Sequence, residues 1–158
     1  MQFEPLDPNY KDRVKESFGR QGFMAHLDAK LDIPAPGACD IKIPFGARVA
    51  QQHGYFHGGV VGALADAAGA YAGFTLLPPT ATILTVEYKV NLIAPARGES
   101  LIARGRVLKG GRTLIVVRSD VFANAEGAET SCATALVTMM VLDGRPDGPP
   151  SGYRGQEP

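Results

Sequence analysis

Two periodicities divide this chain. From Gly58 to Leu77 apolar residues run almost unbroken, and Pro78-Pro79 stop them, which predicts one long buried helix. From Ile83 the period changes to two. In Ile83–Leu92 the even positions are apolar and most odd ones polar, the pattern of a half-buried strand. Pro95–Gly98 makes a turn, Leu101–Leu108 alternates again with Arg104 and Arg106 outward, and Lys109-Gly110-Gly111-Arg112 signals a hairpin. Thr113–Phe122 and Thr130–Leu142 supply two further strands around a turn at Asn124–Gly127. Upstream, residues 8–33 place Val14, Phe18, Phe23 and Leu27 at loosely helical spacing and end at Pro34-Ala35-Pro36-Gly37. A short strand, Ala38–Pro44, and a polar loop, Gly46–Phe56, follow. The expected class is α+β: one buried helix, then an antiparallel meander of at least four long strands. A helix apolar on all sides must be surrounded, so a sheet, the N-terminal segment or a second subunit has to cover it.

Composition removes several classes of function. Sixteen basic and sixteen acidic residues cancel to a formal charge of zero, so no global field favours nucleic acid or an anionic membrane. The apolar run is about one bilayer long, but it is rich in Gly and Ala, carries Asp66 and lacks basic flanks, which favours a buried helix of a soluble protein. Cys39 and Cys132 have no metal-site spacing, and the first residues lack the regions of a signal peptide. The expectation is a cytoplasmic protein with reduced thiols, no metal and no bound cofactor.

Asp66 is the chemical anomaly. Between Gly58 and Val86 it is the only ionisable residue besides Tyr71, and a carboxylate in apolar surroundings either finds a partner or does chemistry. At ~100° per residue, Gly58, Gly62, Asp66, Gly69 and Gly73 share one narrow stripe, with Val60, Leu64, Ala67, Tyr71 and Phe74 opposite. Close packing accounts for the glycines but not for the acid. A carboxylate bonded to nearby hydroxyls would be a purely structural reading of Asp66. His57, just before the helix, reads first as a residue bonding backbone, and His53 as a surface residue. Gly58 and Gly59 open the helix, where unpaired N–H groups and the dipole can hold a developing oxyanion. No nucleophile elbow, P-loop or dinucleotide fingerprint is present.

The string His57-Gly58-Gly59-Val60-Val61-Gly62-Ala63-Leu64-Ala65-Asp66-Ala67-Ala68-Gly69-Ala70-Tyr71-Ala72 resembles the central-helix motif of hotdog-fold thioesterases, nearest the phenylacetate-degradation (PaaI-like) type. Similarity continues through Thr85–Ala96 and Lys109–Arg112 and covers roughly residues 38 to 142. The patterning marks an N-terminal helical segment (1–36) and, from its Gly and Pro and lack of apolar periodicity, a flexible tail (143–158); the resemblance implies that residues 37–142 between them form a hotdog domain, a long helix wrapped by a curved antiparallel sheet. It implies a homodimer or homotetramer with active sites between subunits, and an acyl-CoA thioester as substrate, coenzyme A being part of that substrate rather than a cofactor. Carried over, Asp66 is the catalytic nucleophile or general base, and Gly58 N–H polarises the thioester carbonyl. Thr85 helps position water or carboxylate, and His57 orients the loop or the thioester. In the family pattern Asn-Xaa-Xaa-Gly-Xaa-Xaa-His this chain retains Gly54 but carries Gln51 for Asn. Gly59, Lys89, Arg97, Lys109 and Arg112 are the candidate substrate-binding residues, the last four for CoA phosphates. Tyr55, Phe56 and Tyr71 read as core first and as the lining of an aromatic-tolerant pocket second. A non-catalytic acyl-CoA-binding or sensing module on the same scaffold is the alternative function.

Overall fold

The computed structural model describes residues 2–149. Two short helices, α1 (Tyr10–Gly19) and α2 (Gly22–His26), lead into strand β1 (Lys30–Asp32) and strand β2 (Ala38–Pro44). A single 3-10 turn, Ala47–Val49, precedes helix α3 (Gly58–Phe74). Strands β3 (Thr82–Leu92), β4 (Ser100–Gly110), β5 (Leu114–Ala125) and β6 (Ala128–Leu142) complete one antiparallel sheet in the order β1-β2-β4-β5-β6-β3. The sheet wraps α3, whose Leu64, Ala65, Ala68, Ala72 and Phe74 are fully or nearly fully buried.

Three features depart from the periodicity reading. Lys30-Leu31-Asp32 is a strand rather than part of a helical stretch, because its polar–apolar–polar alternation pairs with Lys42, Ile41 and Asp40 of β2. The meander runs only from β4 to β6; β3 leaves it and lies beyond β6 at the sheet edge. The connection after β3 crosses the start of α3, where Phe56 N–H donates to Ala96 O (2.9 Å), and delivers β4 beside β2. The helix also stops three residues early. Thr75 turns its hydroxyl back to Ala72 O (2.6 Å) and accepts Gly37 N–H (2.7 Å), closing the last turn before the prolines.

The helix terminus is held from outside. Arg13 of α1 donates to the carbonyls of Leu77 (2.6 Å) and Pro78 (2.7 Å), stacks 4.5 Å over the Phe74 ring, and pairs with Asp7 at 3.1 Å. A cation at the C-terminal carbonyls of a helix satisfies orphan acceptors and complements the dipole. Asp147 is likewise fastened, accepting from Thr82 Oγ1 (2.9 Å) and pairing with Arg20, so at least this part of the expected tail is tied to the domain. Residues 150–158 of that tail lie outside the described residues.

The glycines mark where helix and sheet meet. A Cβ at Gly69 would lie 3.0 Å from Val137, and one at Gly105 of β4 only 2.2 Å from the carbonyl oxygen of Ala68. That approach sets α3 against the sheet and so fixes the height of Asp66, two residues before Ala68. The stripe Gly59, Ala63, Asp66 and Ala70 is not buried. Beside it runs the unpaired edge of β3, exposing Leu84, Val86, Tyr88 and Leu92.

Candidate active site

Asp66 sits at the middle of α3, and the strand facing it is β3. The pleat alone would turn even-numbered residues inward. Instead β3 carries a bulge at Val86, where Thr85 pairs with Met139 and Glu87 with Thr138. One extra residue flips the parity. Before the bulge Ile83 packs on the core and Thr85 meets Asp66; after it Tyr88 and Val90 lie against Gly62 and Leu92 against Gly58. Leu84 and Val86, expected inside from the alternation, are therefore 58% and 53% exposed.

Thr85 Oγ1 donates to Asp66 Oδ1 at 2.8 Å. Burial pushes the Asp66 carboxyl above its ordinary value, and the Thr85 hydroxyl partly opposes that rise. No cation pairs with Asp66 among the described residues. A desolvated, oriented carboxylate without a counter-ion can act as a nucleophile or accept a proton from water.

The start of α3 forms a second group. His57 is the N-cap: its Nδ1 accepts Gly59 N–H (2.9 Å), and its carbonyl accepts the N–H groups of Val60 and Val61. Gly58 N–H finds no acceptor among the described residues. Gln51 folds over its own turn, accepting His53 N–H through Oε1, while its backbone N–H donates to Tyr55 O (2.8 Å). The backbone donor identifies the oxygen, which leaves the Gln51 Nε2 hydrogens for another partner. Gly54 allows this turn through its φ of +78°.

These two groups do not meet within one chain. Eight residues of helix separate Gly58 from Asp66, about 12 Å along the axis. They open into different cavities: one of about 310 Å³ lined by Asp66, Thr85 and Tyr71, and one of about 460 Å³ lined by Gly58, Gln51, Tyr55 and Phe56. The aromatic residues read as core thus line both cavities as well.

The four candidate phosphate ligands are scattered. Lys89 lies on β3 between the helix-facing Tyr88 and Val90, on the opposite face of the sheet. Arg97 follows β3 at the end of the sheet that borders the helix N-terminus. Lys109 and Arg112 flank the β4–β5 hairpin near Leu76, at the helix C-terminus. All four are exposed and none forms an ion pair among the described residues. Arg104 and Arg106 instead pair with Glu129 and Asp40. No cluster of three His, Cys, Asp or Glu side chains that could hold a metal occurs among the described residues, and no described helix is long and apolar enough to cross a membrane.

A long helix wrapped by an antiparallel sheet, with a lone carboxylate at its middle, defines the hotdog class of α+β proteins. The chain matches the Thioesterase superfamily over residues 53–129. A thioesterase family protein of Silicibacter pomeroyi is 41% identical, with a TM-score of 0.83 over 85% of this chain and 99% of that one. A Saccharolobus solfataricus relative carrying a provisional esterase name is 32% identical over 81% of this chain and 83% of its own length. At 16% identity and a TM-score of 0.77, the Escherichia coli PaaI protein of the phenylacetic acid degradation operon covers 88% of this chain and 97% of its own, and shows the shared fold. The protein belongs to the thioesterase superfamily, and its expected hotdog architecture holds.

Proposed function

We propose that this protein hydrolyses acyl-CoA thioesters to a free acid and coenzyme A, at sites each built from two subunits. The observation that carries the reading is Asp66: partly desolvated, oriented by Thr85 at 2.8 Å, and without a counter-ion among the described residues. A partner subunit enters this reading because Gly58 N–H and Asp66 of one chain are too far apart to serve one carbonyl. Two copies joined edge to edge through β3, with the uncovered helix stripes facing, would bury the exposed leucines. They would also bring the start of one α3 to the middle of the other. Either a dimer or a tetramer of such dimers satisfies this requirement.

In this arrangement the thioester oxygen accepts from Gly58 N–H, with Gln51 Nε2 as a second donor and Gly59 giving the backbone room to approach. His57 keeps the donors in place through its cap. Asp66 then attacks the carbonyl carbon and forms an acyl anhydride, which water hydrolyses; or it takes a proton from water, which attacks directly. In both routes the C–S bond breaks, the thiolate leaves and is protonated, and the acid is released. Thr85 positions the carboxylate. Of Lys89, Arg97, Lys109 and Arg112, Arg97 borders the Gly58 end of the helix and is the candidate best placed to meet CoA phosphates; a cytoplasmic location accords with an acyl-CoA substrate.

The test is thiol release from aromatic, short and long acyl-CoAs by the wild type and by Asp66→Ala. The expected result is turnover of at least one substrate, largely lost in the variant while the oligomer persists. Equal turnover by the variant, or tight binding with no thiol released, would overturn the proposal, and the latter would point to the binding-module alternative.

A further inference from the structure

The cavity beside Asp66 runs on to the N-terminal helices, which line its far end. Ala70 and Tyr71 of α3 and Phe23 and Met24 of α2 form its apolar wall, beside the polar side chains of Gln21 and Asp147. The wall around Met24 and Tyr71 is packed. Met24 is buried, the Tyr71 ring meets Phe18 edge-on at 5.5 Å, and the Tyr71 hydroxyl lies 3.3 Å from Ser17 Oγ. The Arg13 clamp fixes α1 to the end of α3 at the same place. Two estimates of capacity agree. A volume of about 310 Å³ holds about ten non-hydrogen atoms if each takes roughly the ~30 Å³ of a water. From Asp66 to Phe74, the last lining residue of α3, is about 12 Å, and an extended chain gaining ~1.3 Å per carbon spans it with about nine carbons.

Resting on the thioesterase reading above, we propose that this cavity receives the acyl chain, and that Phe23 and Met24 limit it to about eight to ten carbons or an aryl group of similar size. Ala70 lies about 6 Å along the axis from Asp66, so a larger side chain there would halve the usable depth. Phe23 is more than half exposed, so its removal opens the wall without excavating the core.

The experiment measures kcat/KM for straight-chain acyl-CoAs from acetyl to palmitoyl. In parallel, calorimetry follows binding of thioether analogues that cannot be hydrolysed. The wild type should lose at least about tenfold between octanoyl and palmitoyl. Ala70→Leu should lower the octanoyl-to-acetyl ratio by about tenfold, and Phe23→Ala should raise the palmitoyl-to-octanoyl ratio by about as much. Opposite shifts cannot come from general destabilisation. Turnover with a chain-length profile that neither variant moves would overturn this proposal alone. Size-limited binding without turnover in the wild type would overturn the hydrolase reading alone.

Discussion

The donor attributed to Gly58 can be deleted without touching a side chain. Gly58 is the first residue of α3, the helical position at which proline is best tolerated, since an N–H there has no helical acceptor. His57 before it has φ −65° and ψ 136°, the extended conformation that a following proline demands. Gly58→Pro therefore removes one N–H that makes no bond among the described residues and leaves the cap geometry intact. Fixing φ in the unfolded chain should add about 0.4–1 kcal/mol of stability. Against this stands one contact, a new Cβ 3.1 Å from Leu92 Cδ1, and that exposed side chain can give way. Stability should change by less than about 1 kcal/mol, while kcat for thiol release falls about 10²–10³-fold, or about 2.7–4 kcal/mol, as when other oxyanion donors are removed. Gly58→Ala adds the same Cβ but keeps the N–H, and separates crowding from donor loss. Thermal unfolding and light scattering establish that fold and assembly persist, and steady-state thiol release gives kcat. If Gly58→Pro turns over within about threefold of Gly58→Ala, the oxyanion reading is wrong.

Two further variants probe the carboxylate. Thr85→Val keeps shape and branching but removes the 2.8 Å hydrogen bond to Asp66. A bond to a charged group contributes about 1.5–3 kcal/mol, so kcat should fall by roughly one to two orders of magnitude. Because that hydroxyl holds the Asp66 carboxyl down against burial, the acid limb of the pH–rate profile should move to higher pH and return in Thr85→Ser; an unmoved limb argues against the contact. Asp66→Asn tests the cost of the charge. A carboxyl whose value rises on folding stabilises the fold only while protonated, and that contribution is lost as pH climbs through the folded-state value. Asp66→Asn should therefore melt above the wild type near neutral pH, with the gap closing as pH falls toward the ordinary value near 3.8. A gap that is constant or reversed in sign contradicts the desolvation.

Local physics was readable in the chain and long-range pairing was not. The α3 helix shows itself because every side is apolar and two prolines end it, and Asp66 because charge is absent around it. The strands from β3 to β6 follow from alternation. Their order does not, since nothing in the Ile83–Leu92 pattern says that its neighbour is β6 rather than β4. The bulge at Val86 is one unmarked residue, yet it decides whether Thr85 or Val86 faces the helix. Only the resemblance to a family points to Thr85, because periodicity alone puts it outside. Arg13 lies more than sixty positions from the carbonyls it holds, as its separations from Leu77 and Pro78 show, and no local signal marks it. The short β1 is hidden because three alternating residues cannot be told from a helix end until β2 pairs with them.

The central claim is that each site joins Asp66 of one chain to Gly58 of another, and mixed dimers test it most directly. Co-expressing differently tagged Asp66→Ala and Gly58→Pro chains and isolating the doubly tagged dimer gives one site with both groups intact and one with neither. The account predicts nearly inactive parent homodimers and a mixed dimer that releases thiol at about half the wild-type rate per dimer. A mixed dimer no more active than its parents would contradict it.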